Sequence, residues 1–504
     1  MIRRLESEKK DARLISWNQK ALHHSEVPKH ISPDTGSFAL STDELLSIKV
    51  EEISNVGEVK RMIEQVSHLF KTNMDLRKTF SSDPSRFMGS EIDLNAGIRS
   101  LLAIALDHEY IRVLLTCGGL ELICELLTHP NDDAVSSSLE VLVEVTKDEA
   151  IAHFPYLHEM LQSVSRSDII SHLSDSLTVM RGVNREGCGL CLRSISNILE
   201  IDEKLISVND ISKLLSALQS IIGQHNPDGL FNRSYALEIL IHILERFSDE
   251  QLSSNITHQL LDSLLLALSR FRDKNPAEAI EKEFYCNLIH VLCILSEIPS
   301  IREEVISLEA IQLFVRLLMV TKDPAPLMRV ISICIREKET ASIIFIDHKG
   351  LRIIGSLFSS RHRKVKELVV TVLNKLLKTT KGTHKDRVIG KLVEKNCEKL
   401  STMFSTIAEL LPQVRDDGEY LDRCDKGLYT VQQASLVVLR LFNEGNASLK
   451  ERILSEFASK RVQYQDFIQI VLEFTQLLDP DNAINEINEI RDYLAIFQTS
   501  ALAT

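Results

Sequence analysis

The chain has 504 residues, 44% of them hydrophobic, with few glycines and prolines, a composition that excludes a largely disordered protein and allows a large buried core. Its formal net charge of −13 disfavours indiscriminate binding to nucleic acids. No apolar stretch approaches the roughly 20 residues of a membrane-spanning helix, and the charged N-terminus predicts no secretory signal. The nine cysteines predict reduced, buried thiols of a cytosolic or nuclear protein.

Residues 1–40 predict a basic, partly flexible N-terminal arm. Arg3-Arg4 and Lys9-Lys10 fit a nuclear import signal or a nucleic-acid contact, and a solvated tail is the simpler interpretation. Residues 41–95 predict an N-terminal helical cap. The clearest apolar helical face in this cap carries Val59, Ile63, Val66 and Phe70.

Residues 118–147 show one unit of a repeat that is predicted to extend over residues 96–400. Gly118-Gly119 ends a preceding helix, and apolar residues then recur at helical spacing. A second helix follows, with Asp132 or Asp133 as its predicted cap and an apolar stripe built on Leu139 and Leu142. Because both helices are apolar on two sides, the pair can be buried only between neighbouring pairs.

The stripe of the second helix recurs with a period of about 40–50 residues, which is the armadillo/HEAT range. The recurring positions are Leu192, Ile195 and Leu199; Leu237, Leu240 and Leu244; Leu288, Val291 and Leu295; Met328, Ile331 and Ile335; and Val369, Val372 and Leu376. The helices that precede them carry Ile169, Ile211, Leu260, Ile311 and Leu351 where Leu120 stands in the first unit. A generic helical bundle has no reason to keep a fixed period. The sequence therefore predicts an all-α protein, an armadillo/HEAT-like right-handed α-solenoid with atypical N- and C-terminal helical caps.

The segment 361–399 is rich in lysine and arginine and poor in acidic residues. An RNA-contacting scaffold that uses this segment is one alternative function. Because the segment has no aromatic residues on which bases could stack, a solvated, lysine-rich helical surface is the favoured interpretation, and direct RNA contact is not expected.

Residues 401–504 lose the repeat period, as expected where a solenoid ends. They predict a C-terminal helical cap and, as an alternative role, a contact between two copies of the chain. The apolar residues that favour this interpretation are Phe457, Phe467, Ile470, Phe474 and Leu477.

Two acidic stretches are candidate partner-binding sites. One is the connection before the apolar helix through Leu436, and its candidate residues are Asp416, Asp417, Glu419, Tyr420, Asp422 and Asp425. The other pairs Glu121 with Glu125, one helical turn apart and off the apolar stripe. Since the charge outside 361–399 is strongly negative, we expect a basic peptide to dock on acidic surface through several weak ion pairs. Tyr420 could pack on an arginine of such a peptide.

No pattern in the sequence predicts catalysis, a cofactor or a metal site. Cys188-Gly189-Leu190-Cys191 lacks a second pair of ligands, and a structural role on a helix facing the core is favoured. Gly187 and Gly189 begin a Gly-x-Gly pattern, but Leu192 stands where a third glycine is needed. The sequence predicts a non-catalytic protein.

The stretch Asp83–Asn95, with Val59–Ile63 and Asp75–Arg77 upstream, resembles the beta-catenin-like family of nuclear, armadillo-type spliceosomal factors. The resemblance is collinear from about residue 55 to about residue 480. Its other motifs are the hairpin at 118–147, Asn275–Ala279, Gly350–Arg352 with Leu357–Phe358, and Tyr420–Arg423 with Gly427–Tyr429. The charged leader typical of the family is shorter here, so its import signal is not carried over.

The resemblance implies a nuclear accessory component of the pre-mRNA splicing machinery that associates with the spliceosomal nineteen complex. It implies binding to basic, import-signal-like segments of splicing-factor proteins, including the Myb-like factor of that complex, and self-association through the C-terminal region. An importin-like nuclear transport adaptor is a second alternative. The only tryptophan, Trp17, lies in the arm, so the ladder of inward-facing tryptophans that importins use is missing.

Overall fold

The computed structural model describes Ile53 and residues 55–147, 157–201, 208–224, 229–360, 362–415, 418–481 and 483–502. The predictions for the 1–40 arm, and for Asp416 and Asp417, lie outside these residues. Within them every regular element is helical and no strand occurs, which confirms the predicted all-α class. None of the helices in these ranges has both the length and the apolar composition needed to span a bilayer.

The described residues form two compact units, and the boundary between them falls in α14 (Pro299–Ser307). The N-terminal unit lies within residues 32–271 and 276–304. Its helices are α1 (Val56–Thr79), α2 (Met88–Ser100), α3 (His108–Thr116), α4 (Gly119–Leu126), α5 (Asp132–Val145), α6 (Leu157–Ser167), α7 (Ile169–Met180), α8 (Arg185–Ile201), α9 (Val208–Ile222), α10 (Leu230–Arg246), α11 (Asp249–Asn255), α12 (His258–Ser269) and α13 (Ala279–Glu297).

The C-terminal unit holds residues 272–275 and the described part of 305–504. Its helices after the boundary are α15 (Ala310–Leu318), α16 (Ala325–Cys334), α17 (Glu339–Asp347), α18 (Gly350–Leu357), α19 (Arg363–Thr379), α20 (Gly382–Val414), α21 (Tyr420–Lys426), α22 (Leu428–Glu444), α23 (Ala447–Lys460), α24 (Tyr464–Leu477) and α25 (Ile484–Leu502). Helix α20 is interrupted at Glu394–Cys397, where the backbone leaves helical φ and ψ values.

The repeat has three helices, one more than the hairpin that the sequence predicted. In the repeat formed by α3, α4 and α5, the side chain of Asp107 caps α3 by accepting a hydrogen bond from the Glu109 N–H. Gly118, with φ of +77°, turns the chain into α4. Asn131 caps α5 and Asp132 and Asp133 lie in its first turn, so the predicted cap was wrong by one or two residues.

The left-handed turn between the first and second helices recurs in later repeats. The residues that adopt it before α7, α15 and α18 are Asp168, Glu309 and Lys349, with φ values of 52°, 60° and 74°. These residues have side chains, so the turn is dictated by how the two helices pack and not by a local preference for glycine.

The apolar stripes face the core as predicted. Every recurring stripe position from Leu192 to Leu376 is at most 3% exposed, and each such buried side chain contributes roughly 1.5–3 kcal/mol. In the N-terminal unit the third helices α5, α8, α10 and α13 pack in series, and in the C-terminal unit α16, α19 and α22 do so. This serial stacking is the repeat architecture that the period predicted.

The last helices cover the end of the C-terminal unit. Phe457 lies at the centre of an aromatic cluster, with ring centroids 5.0 Å from Phe467 and 5.5 Å from Phe497, and all three rings are buried. Of the residues proposed for self-association, Phe457, Phe467 and Ile470 thus lie inside the unit, whereas Phe474 and Leu477 are half-buried. A contact between copies through this region stays a prediction.

Candidate protein-binding surface

The partly exposed residues of α5, α8, α10 and α13 form one continuous surface of the N-terminal unit, which we call the third-helix face. Because each of these helices packs on the next, residues about one repeat apart become neighbours. The polar and charged residues of this face are Ser136 and Glu140 on α5, Glu186, Arg193 and Asn197 on α8, Tyr235, Glu238, His242, Glu245 and Arg246 on α10, and Glu283 and His290 on α13, with Asn287 buried beneath them. Carboxylates therefore predominate on it.

Two carboxylates of neighbouring third helices meet on this face. Asn287 donates a hydrogen bond from Nδ2 to Glu238 Oε1 at 3.4 Å, and Glu283 lies close enough to interact with Glu238 directly. Burial first, and then the proximity of Glu283, raises the pKa of Glu238 to about 8. Near neutral pH Glu238 is therefore largely protonated, and a cationic side chain placed beside the pair would favour its ionised form.

A second acidic cluster lies on α5 and the start of α8. Burial raises the pKa of Glu140, nearby Arg99 opposes this effect, and Glu186 and Glu144 add to it. Arg99 Nη2 lies 3.7 Å from Glu140 Oε2. The third-helix face thus carries two places where carboxylates of neighbouring repeats approach one another.

Amide side chains cross-link the helices that carry these carboxylates. Asn184 donates from Nδ2 to Ser136 Oγ at 3.0 Å. Asn197 donates from Nδ2 to the Val143 carbonyl at 3.3 Å and to Thr146 Oγ1 at 3.1 Å. Because these bonds join adjacent repeats, the face is held in one arrangement before a partner arrives, which lowers the entropic cost of binding.

The predicted acidic site at 416–425 is described only in part. Glu419, Asp422 and Asp425 are exposed at or within α21. Tyr420 is half-buried, its hydroxyl donates to Gln432 Oε1 at 3.3 Å, and burial raises its pKa. Its hydroxyl is thus bound within the C-terminal unit, while the described carboxylates remain accessible.

The other predicted pair, Glu121 and Glu125, lies on α4, a second helix of its repeat. Glu125 is exposed, and Glu121 Oε1 lies 3.5 Å from Arg166 Nε on α6. The structure therefore places the pair apart from the third-helix face. Binding of a basic peptide at this pair, as at 416–425, stays a prediction.

The described part of the basic segment 361–399 contains α19 and the first part of α20, and many of its cations bind within the unit. The partners and distances are Glu486 for Lys378 (2.8 Å), Glu444 for Lys385 (2.9 Å), Asp347 for Arg387 (2.6 Å), Glu394 for Lys391 (2.9 Å) and the Ser332 carbonyl for Lys375 (2.8 Å). These contacts leave fewer cations for an RNA backbone than the sequence suggested. They weaken the RNA-contacting alternative.

The Cys188–Cys191 pair lies in α8, and both thiols are buried. Burial raises the pKa of Cys188 to about 11 and that of Cys191 well above its usual value, so the thiolates that bind metals are disfavoured. Within the described residues, no cluster of histidine, cysteine or acidic side chains has the arrangement of a metal site.

Sequence reasoning missed the Glu238–Glu283 pair because its two members come from different repeats. The available signal was their separation, which equals the repeat period and places them at the junction of adjacent third helices. Charges that are close in sequence give a local signal, whereas a solenoid also brings together residues one period apart.

Serial stacking of three-helix repeats within each unit defines an armadillo-type helical-repeat protein. A family model described as "Catenin-beta-like, Arm-motif containing nuclear" matches residues 42–473. The chain belongs to this catenin-beta-like family, which confirms the resemblance seen at Asp83–Asn95.

Two curated relatives show how far the similarity extends. The beta-catenin-like protein 1 of Homo sapiens is 25% identical over 440 residues, which cover 79% of this chain and 77% of that protein. The beta-catenin-like protein 1 homolog of Schizosaccharomyces pombe is 23% identical over 465 residues, which cover 86% of this chain and 81% of that protein. A crystal structure of an engineered protein is similar in fold, with a TM-score of 0.51 and 14% identity over 90% of this chain and 98% of that one.

Proposed function

We propose that this protein is a non-catalytic scaffold of the pre-mRNA splicing machinery, located in the nucleus, that binds basic segments of partner proteins. The partners are splicing factors with import-signal-like stretches, including the Myb-like factor of the nineteen complex. The residue motifs at Asp83–Asn95 and the description of the family as nuclear support this proposal.

The observation that carries the binding part of the proposal is the open, carboxylate-rich third-helix face. Glu238 and Glu283 approach each other across two helices, and burial first, then the nearby Glu283, makes ionisation of Glu238 costly and raises its pKa. A lysine or arginine of a bound segment would remove the cost, because an opposite charge favours the ionised form. Binding should therefore strengthen as the pH rises toward and through 8, and it should weaken with salt.

The test is a titration of a fluorescein-labelled, lysine-rich peptide against three charge-neutralised variants. Glu238→Gln with Glu283→Gln should weaken binding roughly five- to tenfold at low salt. Glu121→Gln with Glu125→Gln, and Glu419→Gln with Asp422→Asn and Asp425→Asn, serve as matched variants of the other two acidic sites. If one of those two variants loses affinity and the third-helix variant does not, binding belongs to the site predicted from the sequence.

The role in splicing needs a separate measurement. The tagged protein and its Glu238→Gln, Glu283→Gln variant would be used to capture proteins from nuclear extract, followed by mass spectrometry. Splicing factors with lysine- and arginine-rich segments should be enriched by the unmodified protein and reduced with the variant. Equal recovery of splicing factors from both proteins and from beads alone would contradict the proposal.

A further inference from the structure

A cavity of about 210 Å³ opens between α2 and the start of α5. Its α2 side includes Met88, Ile92 and Asn95, all from the segment Asp83–Asn95. Its other side includes His129, Asn131 and Asp133, from the turn before α5 and that helix's first turn. The segment that marks the family in the sequence thus builds one wall of a cavity in the N-terminal unit.

Two apolar side chains at this cavity are left largely in solvent. Met88 is 57% exposed and Ile92 is 64% exposed, and their spacing of four residues places them one turn apart on the same side of α2. The same helix is firmly anchored elsewhere, since Leu94 and Ile98 are fully buried. Loose packing of α2 therefore does not explain the exposed pair, and a methionine beside an isoleucine is an adaptable surface for an aliphatic group.

The base of the cavity is fixed by a network of hydrogen bonds. His129 is buried, its Nδ1 accepts from the Asn131 backbone N–H at 3.0 Å, and its Nε2 lies 2.9 Å from Asn73 Oδ1. Burial lowers the pKa of His129, so the neutral ring donates its Nε2 proton to Asn73. Asn131 Nδ2 in turn donates to Glu91 Oε2 at 3.1 Å, and Glu91 pairs with Arg77.

This network ties α1, α2 and the turn before α5 together around the cavity. A site whose walls are fixed before binding loses little conformational entropy when it is filled. Leu94 and the backbone of the turn then hold the apolar pair at a constant distance from the start of α5.

One exposed carboxylate, Asp133, lines the cavity, and two more are next to lining residues in the sequence. Asp132 and Asp133 are exposed in the first turn of α5, and Asp93 is exposed on α2. Among the described residues none of these three carboxylates has a basic partner, whereas the nearby Arg77 is already paired with Glu91. Helix α2 also packs on α5, and Arg99 of α2 contacts Glu140 of the third-helix face, so the cavity continues that face.

We propose that this cavity receives an aliphatic side chain of the basic segment, placed against Met88 and Ile92, while an adjacent lysine or arginine pairs with Asp132 or Asp133. This inference rests on the proposed function and adds a requirement to it. The partner segment must carry a leucine, isoleucine, valine or methionine next to its basic residues. A segment that is basic but has no aliphatic residue binds only through the carboxylates.

The experiment uses the full chain and two labelled peptides that differ at one position. In the first peptide a leucine lies between two pairs of lysines, and in the second a serine replaces the leucine. Affinity is measured for the unmodified protein, for Met88→Ser with Ile92→Ser, and for a control, Val179→Ser with Val183→Ser. The control removes apolar side chains that are 71% and 78% exposed elsewhere in the same unit.

The leucine peptide should bind the unmodified protein and the control about ten- to hundredfold more tightly than it binds the Met88, Ile92 variant. The serine peptide should bind all three proteins with the same, weaker affinity. A photoreactive leucine in the first peptide should cross-link to the segment Asp83–Asn95, as read by mass spectrometry.

Failure of the inference can be told apart from failure of the proposed function. If both peptides bind the unmodified protein equally, or if the Met88, Ile92 variant binds the leucine peptide as tightly as the control does, the inference is overturned and basic-segment binding stands. If neither peptide binds the unmodified protein, both are overturned. A cross-link confined to another segment also overturns the inference.

Discussion

The third helices of the two units have opposite charge and differ in what covers them. On the N-terminal unit, the third-helix face is rich in carboxylates, and within the described residues Glu186, Glu245 and Glu283 of this face are exposed. On the C-terminal unit, Lys378 of α19 and Arg440 of α22 lie under α25, where Glu486 binds Lys378 at 2.8 Å and Glu489 binds Arg440 at 2.8 Å. The same repeat pattern thus produces an exposed, acidic surface in the N-terminal unit and a basic surface in the C-terminal unit that α25 covers.

The covered surface shows which chemistry such a site requires. Helix α25 presents two carboxylates to basic residues, and it buries an apolar stripe beside them. That stripe consists of Ile487, Ile490, Leu494 and Phe497. The cavity at Met88 and Ile92 likewise has apolar side chains next to charged ones. There the surface carries carboxylates, whereas the surface under α25 carries Lys378 and Arg440. The two faces therefore differ in two respects. Helix α25 occupies the covered face, and the charges of the two faces have opposite signs.

The largest loss of stability should come from a substitution that weakens the packing of α25. Phe497 is fully buried and stacks edge-on against Phe442, with ring centroids 5.1 Å apart. Phe497→Ala should lower the free energy of unfolding by about 3–5 kcal/mol, because it leaves a cavity in the core. Ile496→Ala, on the same helix but 48% exposed, should change it by less than about 0.5 kcal/mol. Urea unfolding followed by circular dichroism measures both, and equal effects would mean that α25 is not docked as described.

A smaller loss of stability should follow from neutralising the carboxylates of α25 that face Arg440. Arg440 is 1% exposed, so Glu489→Gln with Glu486→Gln would leave a buried guanidinium whose remaining strong contact is Asn374 Oδ1 at 3.0 Å. We expect a loss of roughly 2–3 kcal/mol, since breaking a buried pair from one side leaves a charge uncompensated. Glu451→Gln, at an exposed position in the same unit, is the control in the same urea assay. A double variant as stable as that control would show that the pairs contribute nothing.

The stability of the protein should depend on pH through Glu238 of the open face. The pKa of Glu238 is raised from 4.5 to about 8, so between these values the folded state binds a proton that the unfolded state has lost, and stability falls as the pH rises. Glu238→Gln should remove this dependence of stability on pH. At pH 8.5 it should raise the free energy of unfolding by on the order of 1–2 kcal/mol, after allowance for solvent screening. Thermal unfolding from pH 5 to pH 9 measures it, and parallel curves for both proteins would contradict the assignment.

The smallest change in stability is expected from substitutions at the cavity. Because Met88 and Ile92 are mostly exposed, Met88→Ser with Ile92→Ser should change the unfolding free energy by no more than about 0.5 kcal/mol per substitution. Differential scanning calorimetry would check this. A large loss of stability would show that these side chains support the fold, and the peptide experiment would then need the single variants.

The core of this protein could be predicted from the sequence because a buried stripe has a local signature. Leu192 and Leu288 are each surrounded by apolar residues at helical spacing, and both are buried. The short first helices were missed because a seven-residue element such as α11 (Asp249–Asn255) is too short to show a clear period. Helix boundaries in general depend on caps, such as Asn131 at the start of α5, that can shift by a residue without changing the pattern.

The binding surface was much harder to predict than the core. The proximity of Glu238 to Glu283, like that of Arg440 to Glu489, depends on which helices become neighbours after folding. Acidic residues close in sequence, such as Asp422 and Asp425, are easier to notice, yet closeness in sequence does not indicate a shared face. Charge patterning along the chain therefore predicts the sign of the partner's charge but not the place where the partner binds.

The left-handed residue between the first and second helices has a consequence for anyone who builds new repeats from this chain. The position is glycine at Gly118, but it is Asp168, Glu309 and Lys349 in other repeats, so a consensus would keep no single residue there. A side chain in this conformation costs on the order of 1 kcal/mol. A designed array that repeats a lysine or glutamate at this junction would accumulate that cost in every module, whereas glycine at the same position would let the array lengthen without it.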